Sequence, residues 1–160
     1  MGRILCLLPI LLSLTFPSAP ASRAEEGLTF QIVRTAGEEV LWEAPVRRGD
    51  CFTIEYRHSS DHTPVRDLFR IGPEGEIVLL EESYQWYGAG LESHAGMGAT
   101  DFSQEWTRIR MKRVLPRFLL RVGEVAEHVL TIHGRKVPLL SIAKGRESVW
   151  IRVREDAKIR

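Results

Sequence analysis

Apolar and polar residues alternate with a period of two in short segments along most of this 160-residue chain. In the last such segment the apolar and basic residues take opposite positions: Val149, Ile151 and Val153 against Arg152 and Arg154. Such alternation is typical of strands with one buried face, and no segment keeps the 3.6-residue period of an amphipathic helix. The pattern therefore predicts an all-β chain.

Glycine and proline separate the alternating segments. The tetrapeptide Gly-Pro-Glu-Gly at 72–75 predicts a tight hairpin between Val65–Ile71 and Glu76–Ser83. Pro116 interrupts the basic segment that begins at Trp106. Turn signals recur roughly every eight to twelve residues, which predicts about eight to ten short strands. The expected fold is a single-domain antiparallel β-sandwich or small barrel.

The N-terminal region has a different pattern. Arg3 supplies a positive charge, residues 4–16 are almost entirely apolar, and small residues follow up to Ala24. The apolar run is shorter than the roughly twenty residues that a membrane-spanning helix needs. It is typical of a secretory signal peptide, although an uncleaved anchor is the alternative. We therefore expect a signal peptide at 1–24, one β-rich domain at 25–160 without a stable membrane span, and a periplasmic location.

Removal of the signal peptide changes the charge and the cysteine count. Residues 1–24 hold two of the 22 basic residues and none of the 21 acidic ones, which leaves a net charge of about −1. Such a balanced chain gives no electrostatic reason to expect nucleic-acid binding. Cys51 would be the only remaining cysteine, so no internal disulfide is expected. No metal or cofactor motif is complete, and we expect neither group.

The segment from Tyr56 to Asp67 is the densest in side chains that bind ligands or do chemistry. It holds two each of histidine, serine, aspartate and arginine. Arginine forms bidentate hydrogen bonds with carboxylates, so the segment is a candidate for binding a carboxylate or another anion. The simplest alternative is a polar turn braced by Ser60 or Asp61. The candidate ligand-binding residues in this segment are Arg57, His58, Ser59, Thr63, Arg66 and Asp67.

Two enzymatic interpretations of the run His58-Ser59-Ser60-Asp61-His62 remain open. A hydrolase would use one of the serines with a histidine base and an aspartate, but the chain lacks a Gly-x-Ser-x-Gly elbow. A metal site would combine these histidines and Asp61 with His94, His128 or His133. The four-residue spacing of the two histidines aligns ligands on a helix, whereas a strand and turn are expected here.

A second candidate segment follows Tyr84 and joins aromatic residues to a glycine-rich loop. Glycines let backbone N–H groups converge on an anion, and neighbouring aromatic rings can form the wall of a pocket. No parallel βαβ unit surrounds the loop, so a dinucleotide site is not expected. A bulged strand end with core aromatics is the alternative. The candidates are Trp86, Tyr87, Gly88, Ala89 and Gly90.

The two segments together resemble domain-of-unknown-function family 1850, whose members are exported bacterial proteins often encoded beside TAXI-type TRAP transporters. The matching positions are Tyr56, His58, Ser59, Thr63, Pro64, Val65 and Asp67, then Tyr87, Gly88, Ala89, Gly90 and Leu91. The chain departs from the family pattern at 60–62, at Asp67, where the family tends toward glutamate, and at Glu92, where it tends toward proline. The resemblance implies no catalytic residue.

The resemblance implies an accessory to a secondary transporter that takes up small organic acids. We therefore expect a non-enzymatic domain that binds a small carboxylate or docks on TRAP transporter subunits. The two segments are expected to meet at one end of the sandwich and form one pocket. A hydrolase or metal-dependent enzyme is the first alternative. The second is a cell-envelope interaction module that uses exposed Trp42 and Trp150.

Overall fold

The computed structural model describes residues 27–60, 62–85, 99–101 and 106–156, and strands make up most of these residues. The expected signal peptide lies outside these residues. A 3-10 turn, Leu139–Ser141, follows the tenth strand. In chain order the strands are β1 (Leu28–Arg34), β2 (Val40–Val46), β3 (Cys51–Arg57), β4 (Pro64–Ile71), β5 (Ile77–Tyr84), β6 (Ala99–Asp101), β7 (Thr107–Leu115), β8 (Arg117–Arg121), β9 (Val129–Ile132), β10 (Arg135–Pro138) and β11 (Ser148–Glu155).

The strands form two antiparallel sheets. The smaller sheet has the order β2-β1-β11-β8, and the larger has the order β10-β9-β3-β4-β5-β7-β6. The all-β sandwich is therefore confirmed, and its two sheets do not close into a barrel. The chain crosses from the larger sheet to the smaller one at Pro116, which separates β7 from β8. Proline suits this position because it lacks the N–H that a continuous sheet would use.

A row of four phenylalanine rings joins the two sheets. Phe30 on β1 meets Phe52 on β3 edge to face, with ring centroids 4.9 Å apart. Phe52 stacks on Phe69 of β4 at 4.8 Å, and Phe69 stacks on Phe118 of β8 at 5.2 Å. Each such pair contributes about 0.5–1.5 kcal/mol beyond the burial of its area. The row therefore fixes how the sheets face each other at the centre of the core.

The predicted hairpin at 72–75 joins β4 to β5. The N–H of Gly72 donates to the carbonyl of Glu76 at 2.7 Å, and Gly75 has a φ of +82°. Glycine is favoured there because a Cβ disfavours positive φ. The three-residue strand β6 was not predicted, because so short a strand gives no visible alternation. The described residues contain no helix with the length and apolar character needed to cross a membrane.

Candidate functional site

The polar segment after β3 forms a closed turn at one end of the sandwich. The N–H of His58 donates to the carbonyl of Thr63 at 2.9 Å, and the N–H of His62 donates to the carbonyl of His58 at 2.9 Å. His62 takes a left-handed φ of +59°, a conformation that most side chains disfavour. The backbone of the predicted turn is thus held by its own hydrogen bonds.

Arg57, the last residue of β3, connects this turn to the neighbouring turn at 124–127. Its N–H donates to the carbonyl of Ala126 at 2.8 Å, and its Nε lies 3.3 Å from Glu127 Oε2. Its guanidinium also donates to the carbonyl of His62 at 3.4 Å. Both charged side chains are exposed, so the ion pair contributes only about 0–1 kcal/mol. Arg57 therefore has partners within the protein that explain its position.

The histidine and serines of the turn lie at the surface. His58 Nδ1 is 3.0 Å from Ser60 Oγ, and Ser59 is exposed. Asp61 lies outside the described residues, so a third member of a hydrolytic triad is not placed. Within the part of the chain that the structure describes, no three histidine, cysteine, aspartate or glutamate side chains are grouped as a metal site.

Arg66 and Asp67 point to opposite faces of the larger sheet, as neighbours on a strand do. Arg66 lies on the outer face, 3.7 Å from Glu55 Oε1. Asp67 lies on the inner face, where its β-partners are Ile54 on β3 and Glu82 on β5. The two predicted ligand-binding residues therefore do not line one pocket.

The second predicted segment, Trp86, Tyr87, Gly88, Ala89 and Gly90, lies outside the described residues. A shared pocket between this segment and the turn at 58–63 therefore stays a prediction.

The two candidate tryptophans do not share a surface. Trp42 pairs with Ile32 and packs edge to face on Phe30 at 6.0 Å, on the inner side of the smaller sheet. Trp150 pairs with Val33 on the outer side and lies under the guanidinium of Arg117, 4.2 Å from the ring centroid. Both rings are half-buried. The two tryptophans therefore lie on opposite sides of the smaller sheet, and an interaction module that uses them stays a prediction.

A cleft of about 370 Å³ opens between the two sheets and combines apolar walls with polar side chains. The larger sheet supplies Ile54, Phe69, Leu79 and Leu115, and β8 supplies Phe118, Leu119 and Leu120. The polar lining residues are Tyr56 on β3, Asp67 on β4, Arg113 on β7 and His128 before β9. Arg113 is exposed and Leu119 keeps 54 % of its surface, so these two mark the open side of the cleft.

Asp67 is the least compensated polar group of this cleft. The residue is half-buried, but its Oδ1 is covered and has no hydrogen-bond partner in the structure. The same holds for Oε2 of Glu82 on the neighbouring strand. Burial, followed by the negative charge of Glu82, raises the pKa of Asp67 to about 7. The carboxyl of Asp67 is thus divided between its acid and carboxylate forms at neutral pH.

The aromatic groups beside Asp67 are neutral at pH 7. Burial, and then the carboxylates of Asp67 and Glu82, raise the pKa of the Tyr56 phenol. Burial lowers the pKa of His128, whose ring centroid lies 5.2 Å from that of Tyr56. The Gly123 N–H donates to His128 Nδ1 at 3.3 Å, so the neutral ring carries its proton on Nε2. The inner end of the cleft therefore combines neutral donors with acidic carboxyl groups.

A larger groove of about 580 Å³ lies at the opposite end of the sandwich, where Asp50 and His133 meet. Asp50 Oδ2 lies 2.7 Å from His133 Nε2 and accepts the backbone N–H of Arg47 at 2.8 Å. The polar pair in this groove already has partners within the protein. The inter-sheet cleft is the stronger candidate because the carboxyl group in its lining lacks them.

Sequence reasoning named Asp67 as a ligand-binding residue, Tyr56 as a family match and His128 only as a possible metal ligand. It missed Glu82 and Arg113. For Asp67 the signal is its place between Val65 and Phe69 on the apolar face of the strand. For Glu82 the sequence pattern is misleading, because alternation from Ile77 and Leu79 predicts Glu81 on the inner face and Glu82 on the outer face. A bulge after Leu79 shifts the register and turns Glu82 inward instead.

A family model described as "Domain of unknown function (DUF1850)" matches residues 52–139, more than half of the chain. The matched range runs from β3 to the 3-10 turn and includes every polar lining residue of the cleft. No curated protein and no solved structure matches the chain.

Proposed function

The chain belongs to domain-of-unknown-function family 1850, and from its cleft we propose an exported, non-enzymatic domain that binds a small organic acid. It acts in the periplasm as an accessory to a TRAP-type uptake system. One observation carries the binding proposal. Asp67 lines an apolar-walled cleft that is open to solvent, and its carboxyl group has one covered oxygen, Oδ1, without a hydrogen-bond partner. Such a group destabilises the empty protein, which a binding role explains and a purely structural role does not.

Arg113 is the group that recognises the acid. Arg113 lies on β7, where it pairs with Leu79 of β5 on the inner face of the larger sheet. It forms no ion pair with any described residue. A guanidinium at the mouth of an apolar cleft binds a carboxylate through paired, charge-assisted hydrogen bonds. Phe118 and the aliphatic lining residues then contact the apolar part of the ligand. This division between polar and apolar contacts is typical of small-molecule sites.

The cleft has the groups that orient a ligand. Its described lining residues supply a cation, hydrogen-bond donors and apolar surface. Tyr56, Asp67 and His128 are also of the residue types that general acid–base catalysis uses, and the proposal assigns them to ligand binding.

Titration calorimetry with the mature protein tests the binding proposal. A panel of linear and aromatic organic acids is expected to include ligands that bind, and Arg113→Gln is expected to weaken them at least tenfold. Arg70→Gln is the matched control, because Arg70 is an exposed arginine on β4 that does not line the cleft. If no acid binds, or if both substitutions weaken binding equally, the proposed site is wrong.

The transporter link is supported by the export signal expected at 1–24 and by the resemblance to proteins encoded beside TRAP transporters. Cross-linking of the tagged protein in intact cells, followed by mass spectrometry, tests it. TRAP membrane subunits or their solute-binding protein are the expected partners. Recovery of neither, from cells that express the transporter, would contradict the accessory role and leave ligand binding to be judged by calorimetry.

The contact between His58 Nδ1 and Ser60 Oγ favours a second candidate, a hydrolase. It predicts hydrolysis of a chromogenic ester that is lost in His58→Ala and retained in His62→Ala. Equal turnover in the wild type and His58→Ala would exclude this candidate. The accessory proposal predicts that outcome.

A further inference from the structure

The two ends of the inter-sheet cleft hold side chains of opposite charge type, basic at the open side and acidic at the inner end. Arg113 is the one cation among the described lining residues, and it lies at the open side. The inner end holds the carboxyl of Asp67, with the carboxyl of Glu82 directly beside it on β5. No described basic side chain forms an ion pair with either acid. Among the residues that the structure describes, the inner end therefore has no positive charge.

We propose that the inner end of the cleft binds an ammonium group, so that the ligand is an amino acid whose amine and carboxylate are separated by an apolar chain. This inference rests on the proposed function and specifies its ligand class. The ammonium lies between Asp67 and Tyr56, and the carboxylate lies on Arg113.

The groups that face Asp67 from each packed element fit a cation. β3 presents Ile54 and the neutral phenol of Tyr56, and β5 presents Glu82. The segment before β9 presents neutral His128, which does not repel an ammonium. β8 presents apolar side chains, among them Phe118. An ammonium there would give the half-buried carboxyl group of Asp67 a hydrogen-bond donor and a compensating charge, neither of which the described residues supply.

Aromatic rings add to this preference. Tyr56 and Phe118 line the cleft, and an open face of an aromatic ring attracts a cation, whereas both faces of Phe69 are covered by Phe52 and Phe118. An anion at the same place would face Asp67 and Glu82 without a cation between them. Like charges at such short range disfavour one another strongly in a partly buried site. The inner end is therefore expected to reject a second carboxylate.

The separation of Arg113 and Asp67 sets the length of the ligand. Phe69 on β4 pairs with Leu79 on β5, which pairs with Arg113 on β7. Asp67 is two residues along β4, so strand spacing and rise put the two Cα atoms about 12 Å apart. The charges of an α-amino acid are too close together to reach both ends. A ligand with several methylene groups between its charges spans them.

Titration calorimetry at pH 8 tests the proposal with three six-carbon ligands that differ at one end: 6-aminohexanoate, hexanoate and adipate. The expected order of affinity is 6-aminohexanoate, then hexanoate, then adipate, with at least a tenfold step from the first to the second. The four- and eight-carbon ω-amino acids test the length. The affinity of 6-aminohexanoate is expected to rise from pH 6 to pH 8, because Asp67 ionises over that range.

Asp67→Asn removes the charge and keeps the shape, and is expected to reduce 6-aminohexanoate to the affinity of hexanoate. Glu82→Gln is expected to have a smaller effect in the same direction. Hexanoate binding equal to or tighter than that of every ω-amino acid would overturn the inference and leave the proposed acid site intact. Failure of all these ligands and of the wider acid panel would overturn the proposed function itself. The comparison of 6-aminohexanoate, hexanoate and adipate on the wild-type protein tests the inference even if a variant fails to fold.

Discussion

Acidic residues on the two faces of the larger sheet differ in their ion pairing. On the outer face Glu55 lies 3.7 Å from Arg66, and Glu81 lies 3.4 Å from Arg110. On the inner face Asp67 and Glu82, each next in sequence to one of these residues, have no described ion-pair partner. Outer acids that are paired and solvated have an evident structural role. Asp67 and Glu82 on the inner face each have one covered carboxyl oxygen without a hydrogen-bond partner. A ligand near them would provide the positive charge and hydrogen-bond donors that the described residues do not.

The largest effect is expected from the core beside the inner acids. Phe69→Ala removes a buried ring that stacks on both Phe52 and Phe118. Truncation of such a side chain costs about 3–5 kcal/mol of unfolding free energy. Chemical denaturation of the mature protein measures this loss. A loss below about 1 kcal/mol would show that the two sheets do not pack through this row.

Asp67→Asn is expected to stabilise the ligand-free protein at pH 8. The folded pKa of Asp67 is about 7, against an ordinary value near 3.8, so folding binds a proton between these pH values. The unfolding free energy of the wild type therefore falls as pH rises from about 4 to 7. Three pKa units correspond to an upper limit of about 4 kcal/mol.

Denaturation curves at pH 4 and pH 8 check this prediction. The stabilising effect of Asp67→Asn should be seen at pH 8 and be nearly absent at pH 4. A variant that is less stable than the wild type at pH 8 would mean that the carboxylate is satisfied in the folded protein.

Substitution of the neighbouring residues Glu81 and Glu82 on β5 is expected to change the unfolding free energy at pH 8 in opposite directions. Glu82→Gln removes a negative charge beside Asp67 and is expected to lower the Asp67 pKa toward its ordinary range, with a gain in stability at pH 8. Glu81→Gln breaks the ion pair between half-buried Glu81 and exposed Arg110 and is expected to cost about 0–1 kcal/mol. The same sign for both substitutions at pH 8 would remove the distinction between the two faces.

The smallest effect is expected for Arg66→Gln. Its pair with Glu55 is exposed on both sides, so less than about 1 kcal/mol should be lost, and less still at high salt. Denaturation at 50 mM and 500 mM NaCl measures this difference. A larger, salt-independent loss would give Arg66 a structural role beyond its ion pair.

The sequence predicts most of the fold because the strands alternate clearly. The hairpin at 72–75 and the break at Pro116 lie where glycine and proline indicate them. Alternation also puts Arg66 and Asp67 on opposite faces, although their shared segment suggested one pocket. Density of polar residues along the chain is thus a poor guide to a site in a β-protein, because neighbours on a strand point apart.

The remainder of the site depends on three-dimensional contacts. The bulge after Leu79 reverses which glutamate of the pair 81–82 faces inward, and no residue in that segment indicates it. His128 and Arg113 come to the cleft from elements far apart in sequence, so only the packing of the sheets brings them near Asp67. The part in ligand binding that the sequence predicts for residues 86–90 stays a prediction.

The most direct test of the buried, unpaired carboxyl is its own titration. Carboxyl ¹³C NMR of the ligand-free mature protein, assigned with Asp67→Asn, should give a pKa of about 7 for Asp67. A pKa near 4 would contradict the account, because it would show that Asp67 is solvated or paired like the acids of the outer face.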